Sequence, residues 1–411
     1  LVAINISFSQ TSKVIRAEIE TTENANPFHI ANFEKNGLII TNKLNEFFDR
    51  KTLNFQFTYY NNILQKKWQK KIPLSEDYNF YGNQYANDSL MLILFKENKK
   101  SNEPNILLIN FNIQNGGFVI SEFATKEKND LVSLKKFGEI LFLIFENKNE
   151  DYLVKINIPN RSFEEIVLNT SKDKYTTEDF KIDSSGSYFY LLSKKQLSRK
   201  EYKFTIVKYN IDGSKVFTTD INNNDDNKQL LTANISSIEK EDLIITGSYN
   251  LTDEKFSNFP ETYKFESAGM YFTRISKDGS SKTTFFNYLY FDNITKYLNK
   301  KEISRIRKNQ EKNENKEQSL NYLVIEHDAK IDNNNILLIS EAFYPEYRTV
   351  SDMSYDYYGR MTPTSRTVFD GYRYTNAFIL CIDKNGTPKW NQLFDIWNIL
   401  TMDLKERVRT L

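Results

Sequence analysis

The chain has 411 residues, more than one domain usually holds, which predicts either several domains or one large repeat assembly. Its 55 Lys and Arg residues nearly balance its 54 Asp and Glu residues, which excludes a general electrostatic attraction to nucleic acid or to an anionic membrane. Aromatic residues reach 14%, while glycine and proline are scarce, so the composition favours β-strands.

The apolar N-terminal residues 1–9 read as the remnant of a signal peptide. Ser7 and Ser9 stand at the small-residue positions of a cleavage site, and Gln10 would be the new terminus. The alternative is a short N-terminal strand. No other segment approaches the roughly eighteen apolar residues that a membrane span needs. We therefore predict an exported protein of a Gram-negative cell, periplasmic or extracellular, with association to the outer membrane as a further option.

Short apolar runs recur about every fifty residues, which is the signature of a repeat architecture. The first run of each repeat occupies Gly37–Thr41, Leu90–Leu94, Glu139–Leu143, Tyr188–Leu192, Asp242–Thr246 and Asn335–Ile339. A second run follows at Asn54–Tyr60, Asn105–Phe111, Tyr152–Asn157, Phe204–Tyr209, Met270–Ile275 and Ala377–Ile382. Such nearly continuous apolar runs are typical of strands that are buried on both faces.

Turn residues follow most of the second runs, and an alternating strand begins beyond each turn. Asn-Gly or Asp-Gly occurs at Gly116, Gly213, Gly279 and Gly386, and these pairs are strong hairpin signals because tight turns need positive φ. A weaker strand precedes each first run. The unit is therefore four antiparallel strands, which fits a propeller blade; a sandwich lacks this self-similarity, and a helical solenoid would show a period of 3.6.

The segment from Asp383 through Gly386 to Trp390 resembles the docking motif of propellers of the pyrroloquinoline-quinone type, which are related in shape to WD40 propellers. The resemblance implies that the tryptophan packs between neighbouring blades. Trp68 is a looser copy, and Phe, Val or Thr stands near this place in the other repeats. The resemblance supports the fold and does not extend to the quinone cofactor.

The fold class is predicted as an all-β propeller of six four-stranded blades over residues 28–395, with one short inserted helix. Residues 10–27 form an N-terminal strand that could close the propeller. Residues 396–411 form a closing segment or the start of a further blade, and seven blades are the alternative if the chain is truncated.

Three long insertions interrupt the last two blades. Residues 249–267 and 341–375 each separate the second strand from the third, and residues 293–319, which begin with the candidate helix, join the two blades. In a propeller these connections share one face, so we expect all three insertions to emerge together. Loops of this length are uncommon unless they are functional or disordered.

The 341–375 insertion is rich in tyrosine and arginine, which are over-represented at interface hot spots. The candidate partner-binding residues are Tyr344, Tyr347, Arg348, Tyr355, Tyr357, Tyr358, Arg360, Arg366, Tyr372 and Arg373. The competing interpretation is a tolerated surface loop whose tyrosines pack on one another. The partner is predicted to be a protein, with a glycan as the alternative, and the sequence does not identify it.

No catalytic residues, metal site or cofactor are predicted. Cys381 is the only cysteine and the histidines are His29 and His327, so neither a cysteine zinc site nor a histidine triad fits. The Asn-rich segment from Asp220 lacks the glycine and the final acid of a calcium loop. The function predicted is a non-catalytic binding or scaffolding propeller of the cell envelope, acting as a subunit of an outer-membrane complex. The alternative is a carbohydrate-active hydrolase or lyase using Asp, Glu, Tyr and Arg in the central funnel.

Overall fold

The structure is a computed structural model. It describes residues 16, 18, 28–86, 89–97, 103–125, 130–146, 150–169, 175–197, 202–221, 225, 227–239, 242–251, 266–298, 300, 301, 303, 304, 306, 308, 317–332, 335–355 and 358–408. The predicted signal-peptide remnant lies outside these residues. Of the predicted N-terminal strand, only Arg16 and Glu18 are described, and they form an exposed ion pair at 2.9 Å without strand structure.

The chain divides into two compact units, residues 1–171 and 172–411. The first unit contains three antiparallel sheets of four strands, each arranged in chain order or its reverse. Sheet 1 comprises β1 (His29–Asn32), β2 (Leu38–Phe47), β3 (Thr52–Tyr60) and β4 (Lys66–Ser75). Sheet 2 comprises β5 (Asn79–Ala86), β6 (Ser89–Phe95), β7 (Ile106–Asn112) and β8 (Phe118–Phe123). Sheet 3 comprises β9 (Asp130–Phe137), β10 (Ile140–Glu146), β11 (Asp151–Asn157) and β12 (Phe163–Asn169).

The second unit also contains three antiparallel sheets. Sheet 4 comprises β13 (Tyr175–Ile182), β14 (Tyr188–Gln196), β15 (Tyr202–Asn210) and β16 (Lys215–Asp220). Sheet 5 comprises β17 (Lys228–Leu230), β18 (Asn234–Glu239), β19 (Asp242–Leu251), β20 (Gly269–Ile275) and β21 (Ser281–Asn287). Sheet 6 comprises β22 (Leu323–Glu326), β23 (Lys330–Asp332), β24 (Asn335–Tyr355), β25 (Met361–Asp383), β26 (Pro388–Asp395) and β27 (Leu400–Thr401).

All twelve predicted apolar runs contribute to the second and third long strands of these sheets. Their alternate side chains enter different apolar clusters, because successive residues of a strand point to opposite faces. On β6, Leu92 packs in a cluster shared with sheet 1, whereas its neighbour Ile93 packs in a cluster shared with sheet 3. Clusters of the same kind lie between sheets 4 and 5 and between sheets 5 and 6. Burial on both faces explains why the runs show no polar alternation.

The first strands of neighbouring sheets lie side by side within each unit. In the first unit, the Asn83 side chain of β5 donates to the Asn32 carbonyl of β1 at 2.8 Å. In the second unit, the Asp179 carboxylate of β13 accepts from the backbone N–H of Ile235 on β18 at 2.8 Å. Four-stranded sheets that stack face to face, with their first strands adjacent, are consistent with propeller blades.

The turn between the third and fourth long strands of a sheet packs against the fourth strand of the preceding sheet. The four predicted turn glycines all have positive φ, between +66° and +89°. A Cβ at Gly116 would lie 2.7 Å from the Trp68 ring, and one at Gly279 would lie 2.7 Å from the Thr219 hydroxyl. Glycine is therefore required both by the turn and by close approach to the neighbouring sheet.

The burial of the docking-motif tryptophan does not follow the quality of the sequence match in its two copies. Trp68 is buried, stacks on Phe111 of the next sheet with ring centroids 5.1 Å apart, and donates to the Ile113 carbonyl at 3.0 Å. Trp390, which has the better sequence match, is 50% exposed. The looser copy therefore packs between sheets, while the packing of Trp390 against a neighbouring blade stays a prediction.

The prediction that residues 341–375 form a loop is also wrong. These residues continue β24 and β25, which pair with each other from Asn335 and Asp383 out to Tyr355 and Met361. We call the outer part, residues 344–372, the ribbon. Its β-branched and aromatic residues suit an extended conformation, and two register shifts, beside Ala342 and beside Glu346, allow the pair to leave the plane of sheet 6.

The segment that joins sheets 5 and 6 begins with two short 3-10 helices, Tyr288–Tyr290 and Ile294–Lys296. Lys300, Lys301, Ile303, Ser304, Ile306 and Lys308 have a helical backbone, and the short inserted helix stays a prediction because its other residues lie outside the described part of the chain. Ile294 is buried and Ile306 packs against the same cluster. Within the described residues, no helix has both the length and the apolar character that a membrane span requires.

Candidate docking site

The two faces of the ribbon carry different side chains, with aromatic residues and methionines on one face and charged residues on the other. Residues directly opposite each other in an antiparallel pair share a face. One face carries Tyr347 opposite Phe369, with ring centroids 5.6 Å apart, and farther out Met353 opposite Pro363. The exposed fractions of Met353 and Met361 are 60% and 58%. Apolar side chains therefore lie near the base and near the outer end of this face, with the pairs Thr349–Thr367 and Ser351–Ser365 between them.

The opposite face carries charges that are paired within the ribbon. Arg348 lies 3.0 Å from Asp370, and Arg366 lies 3.3 Å from Asp352. Arg373, nearer the base, forms an ion pair with Glu346, and that carboxylate raises the pKa of Arg373. The ribbon thus contributes little net charge to an encounter, and exposed pairs of this kind are worth only about 0–1 kcal/mol each.

The predicted partner-binding residues lie along this ribbon but not on one face. Tyr344, Tyr347 and Tyr358 are exposed, Tyr358 by 79%, and the Arg360 guanidinium lies 5.9 Å from the Tyr358 ring. Tyr372 belongs to the base, where its ring contacts Phe343 and Phe369. Tyr357 and the side chain of Tyr355 lie outside the described residues. The aromatic residues therefore divide between a structural base and an exposed outer part.

The ends of the three insertions lie together at the base of the ribbon. Ser267, which ends the first insertion, pairs with Tyr322 through backbone hydrogen bonds of 2.7 and 3.0 Å. The adjacent Leu323 pairs with Phe343 of β24. Near the end of the 293–319 insertion, the Gln318 carbonyl accepts from Asn287 of β21 at 2.7 Å. The ends of the first and third insertions are thus linked through Tyr322 and Leu323, which follow the 293–319 insertion, while residues 252–265 and 309–316 lie outside the described part of the chain.

The C-terminal segment supports the base of the ribbon. Residues 400 and 401 form β27, which pairs with Tyr372 and Arg373. Ile396, Ile399 and Leu404 pack against an apolar cluster of Leu323, Phe343 and Tyr374. The Tyr374 hydroxyl donates to the Lys405 carbonyl at 2.7 Å and accepts from its N–H at 2.9 Å. The predicted closing segment therefore contacts β25, and it leaves Trp397 83% exposed beside the ribbon.

A buried carboxylate binds the last described residues. Glu341 of β24 is fully buried, and its Oε1 accepts from the backbone N–H groups of Arg407 and Val408, both at 2.8 Å. His327 Nε2 lies 2.6 Å from the same oxygen, and Glu406 lies 3.7 Å from His327 Nδ1. Hydrogen bonds to a charged acceptor are stronger than neutral ones. Glu341 therefore holds the C-terminal segment, a role that its position in an apolar run did not indicate.

A small cleft beside this cluster contains a second carboxylate. It is large enough for about one water molecule, and its lining includes Thr246, Met270, Glu326, His327 and Ser340. Burial raises the pKa of Glu326, while hydrogen bonds from Ser248 and Thr232 oppose that shift. The Thr232 hydroxyl lies 2.7 and 2.6 Å from the two carboxylate oxygens. Among the described residues, no three His, Cys, Asp or Glu side chains are placed to hold a metal ion.

No protein-family model matches this sequence, and no curated protein matches it. Among solved structures, prolyl oligopeptidase B from Galerina marginata is 9% identical with a TM-score of 0.36, over 84% of this chain and 37% of that one. Kuenenia stuttgartiensis hydrazine synthase is 9% identical with a TM-score of 0.38, over 66% and 70%. The Bombyx mori GH32 β-fructofuranosidase BmSUC1 is 10% identical with a TM-score of 0.29, over 87% and 84%. This chain thus spans less than half the length of the oligopeptidase.

Proposed function

We propose that this chain is a non-catalytic binding scaffold, a six-bladed propeller exported to the cell envelope, where it engages a protein partner through the ribbon of its sixth sheet. The observation that carries the proposal is the ribbon itself. A pair of long strands leaves the sheet, exposes Tyr344, Tyr347 and Tyr358, and ends in exposed methionines.

Two physical arguments favour docking over a tolerated extension. An isolated two-stranded ribbon is at best marginally stable in water, so a partner surface would stabilise its outer part. Exposed aromatic and methionine side chains supply the apolar area that interface cores use. The paired charges of the ribbon favour a protein surface of low net charge over a polyanion. A glycan remains the alternative ligand, since tyrosine rings can stack on sugar faces.

The experiment compares partner capture by two matched triple variants. One replaces the exposed ribbon tyrosines, Tyr344→Ser, Tyr347→Ser and Tyr358→Ser. The control replaces Phe47→Ser, Phe48→Ser and Tyr290→Ser, which are exposed by 66%, 66% and 67% outside the ribbon. We expect cross-linked partners from the native envelope fraction to co-purify with the wild-type protein and the control but not with the ribbon variant. Retention of the same partners by a folded ribbon variant would contradict the proposal.

A second candidate function rests on the cleft that contains Glu326. A carboxyl group with a raised pKa beside a histidine is an arrangement that acid–base catalysis can use. On this ground the carbohydrate-active hydrolase or lyase that the sequence left open is the second candidate. Release of reducing ends from a polysaccharide panel by the wild-type protein, and its loss in Glu326→Gln, would support an enzyme. Equal and negligible release by both proteins would leave the scaffold as the function.

A further inference from the structure

We propose that the outer edge of β24, from Tyr347 to Tyr355, pairs with the same edge of a second copy of this chain. The inference rests on the docking role proposed for the ribbon and identifies one partner for it. Three observations carry it: the positions of two prolines, the unpaired backbone along one edge, and the charge pattern formed when two such edges meet.

The prolines show which backbone groups point away from the ribbon. Proline has no N–H, so within a ladder it is tolerated where the N–H would point outward. Pro345 stands opposite Tyr372, whose strand pairs on its outer side with β27, and Pro363 stands opposite Met353. Met353 therefore also directs its N–H and C=O outward. Because this direction alternates along a strand, the outward-facing residues of β24 beyond Pro345 are Tyr347, Thr349, Ser351, Met353 and Tyr355.

One edge of the ribbon offers a longer uninterrupted row of these groups than the other. On β24, pairing with β22 ends at Phe343, next to Pro345, and beyond it the described residues give the edge no backbone partner outside the ribbon. On β25, β27 covers the base and Pro363 lies near the outer end, so the outward-facing residues between them are Ser365, Thr367 and Phe369. Proline and coverage are devices that protect sheet edges from pairing. On β24 these devices lie only at the base, at Pro345 and the pairing with β22, so the edge from Tyr347 to Tyr355 is the longer one available to another strand.

The β24 edge is complementary to itself when two copies meet about a two-fold axis at Ser351. Antiparallel pairing about this point places Thr349 opposite Met353 of the second copy and Ser351 opposite its own equivalent. Arg348 then lies opposite position 354 and diagonal to Asp352 of the second copy, while Asp352 lies opposite Val350. No like charges are opposed, and opposite charges are neighbours, which favours cross-strand pairing. A two-fold, self-complementary interface is also the commonest form of protein assembly.

The wild-type protein is tested first by sedimentation equilibrium over a concentration series. We expect a reversible dimer of twice the 48.5 kDa chain mass. Ser351→Pro removes an outward N–H from the centre of the edge and should weaken the dimer at least about tenfold. Ser365→Pro is the matched control, because Ser365 is directly opposite Ser351 and faces the edge that Pro363 already interrupts. The control should dimerise like the wild-type protein.

Two single-cysteine variants give a second test, which does not depend on whether the ribbon tolerates proline. Equivalent Cα atoms opposite each other in a bonded antiparallel pair are about 5.5 Å apart, within disulfide reach. Ser351→Cys should therefore form a covalent dimer under mild oxidation, and Ser365→Cys should not, while the buried Cys381 serves as an unreactive background.

A wild-type protein that remains monomeric at every concentration would overturn the inference, as would equal dimerisation or equal cross-linking of the two variants in each pair. Partner capture from the envelope by a monomeric protein would leave the proposed function standing without this dimer. Dimerisation without any captured partner would support this dimer and leave the proposed capture of an envelope partner without support.

Discussion

Glu341→Ala should release the C-terminal segment from the base of the ribbon. In the native protein one oxygen of the fully buried Glu341 carboxylate accepts from two backbone N–H groups and contacts His327. Alanine leaves these groups without their acceptor. Loss of one partner of a buried charged interaction costs about 3–5 kcal/mol. The segment can hydrate its own amides by detaching, so we expect the lower end of this range, about 3 kcal/mol.

Glu346→Ala is the matched control, because Glu346 lies on the same strand but its ion pair with Arg373 is partly exposed. Its loss should cost less than about 1 kcal/mol. Urea unfolding measures the free energy of unfolding of both variants. A trypsin time course measures detachment directly, since Lys405 and Arg407 should be cleaved rapidly in Glu341→Ala and slowly in Glu346→Ala. Equal stability and equal cleavage in the two variants would refute the assignment of Glu341 as the anchor of the segment.

Trp68→Ala should lower the free energy of unfolding by about 3–5 kcal/mol, because the ring is buried between two sheets. Trp390→Ala should change it by less than about 1 kcal/mol, and chemical denaturation measures both values. Gly116→Ala should be more destabilising than Gly138→Ala in the same assay. Both glycines have positive φ, but only at Gly116 would the added Cβ meet a tryptophan ring. Equal losses of unfolding free energy in the two variants would contradict that contact. Burial, reinforced by Glu146, raises the pKa of Asp151 to about 6, so folding favours its protonated form and this contribution to stability is lost as pH rises from about 4 to 6. With partial solvent screening, Asp151→Asn should raise the free energy of unfolding by about 1 kcal/mol at pH 7 and by almost nothing at pH 4. An effect that does not depend on pH would contradict the raised pKa of Asp151.

The repeat could be predicted because burial of a central strand determines the types of consecutive residues. A strand with neighbours on both faces needs apolar side chains at every position, so runs such as Leu90–Leu94 identify the central strands directly. The positive-φ turns at Gly116 and Gly279 could also be predicted, because few residues other than glycine adopt that conformation.

The ribbon was not predicted because a two-stranded extension lacks the continuous apolar pattern of a blade. Its residues mix serine and threonine with charged and aromatic side chains without a strict period of two, and a polar segment without periodicity indicates a loop. Proline also disfavours a central strand, although Pro345 and Pro363 are accepted here because their backbone points outward. The anchor formed by Glu341 and His327 was missed because their contact depends on the register of β22 with β24, which one sequence does not specify.

The apolar clusters that lie between adjacent sheets have a consequence for how the chain loses its structure. Each of these clusters draws its side chains from two neighbouring sheets, so it belongs to neither sheet alone. Removal of one sheet would leave the side chains of the other in water. The smallest cooperative element is therefore a pair of sheets, and a destabilising substitution in one cluster should accelerate amide exchange in both of the sheets that share it.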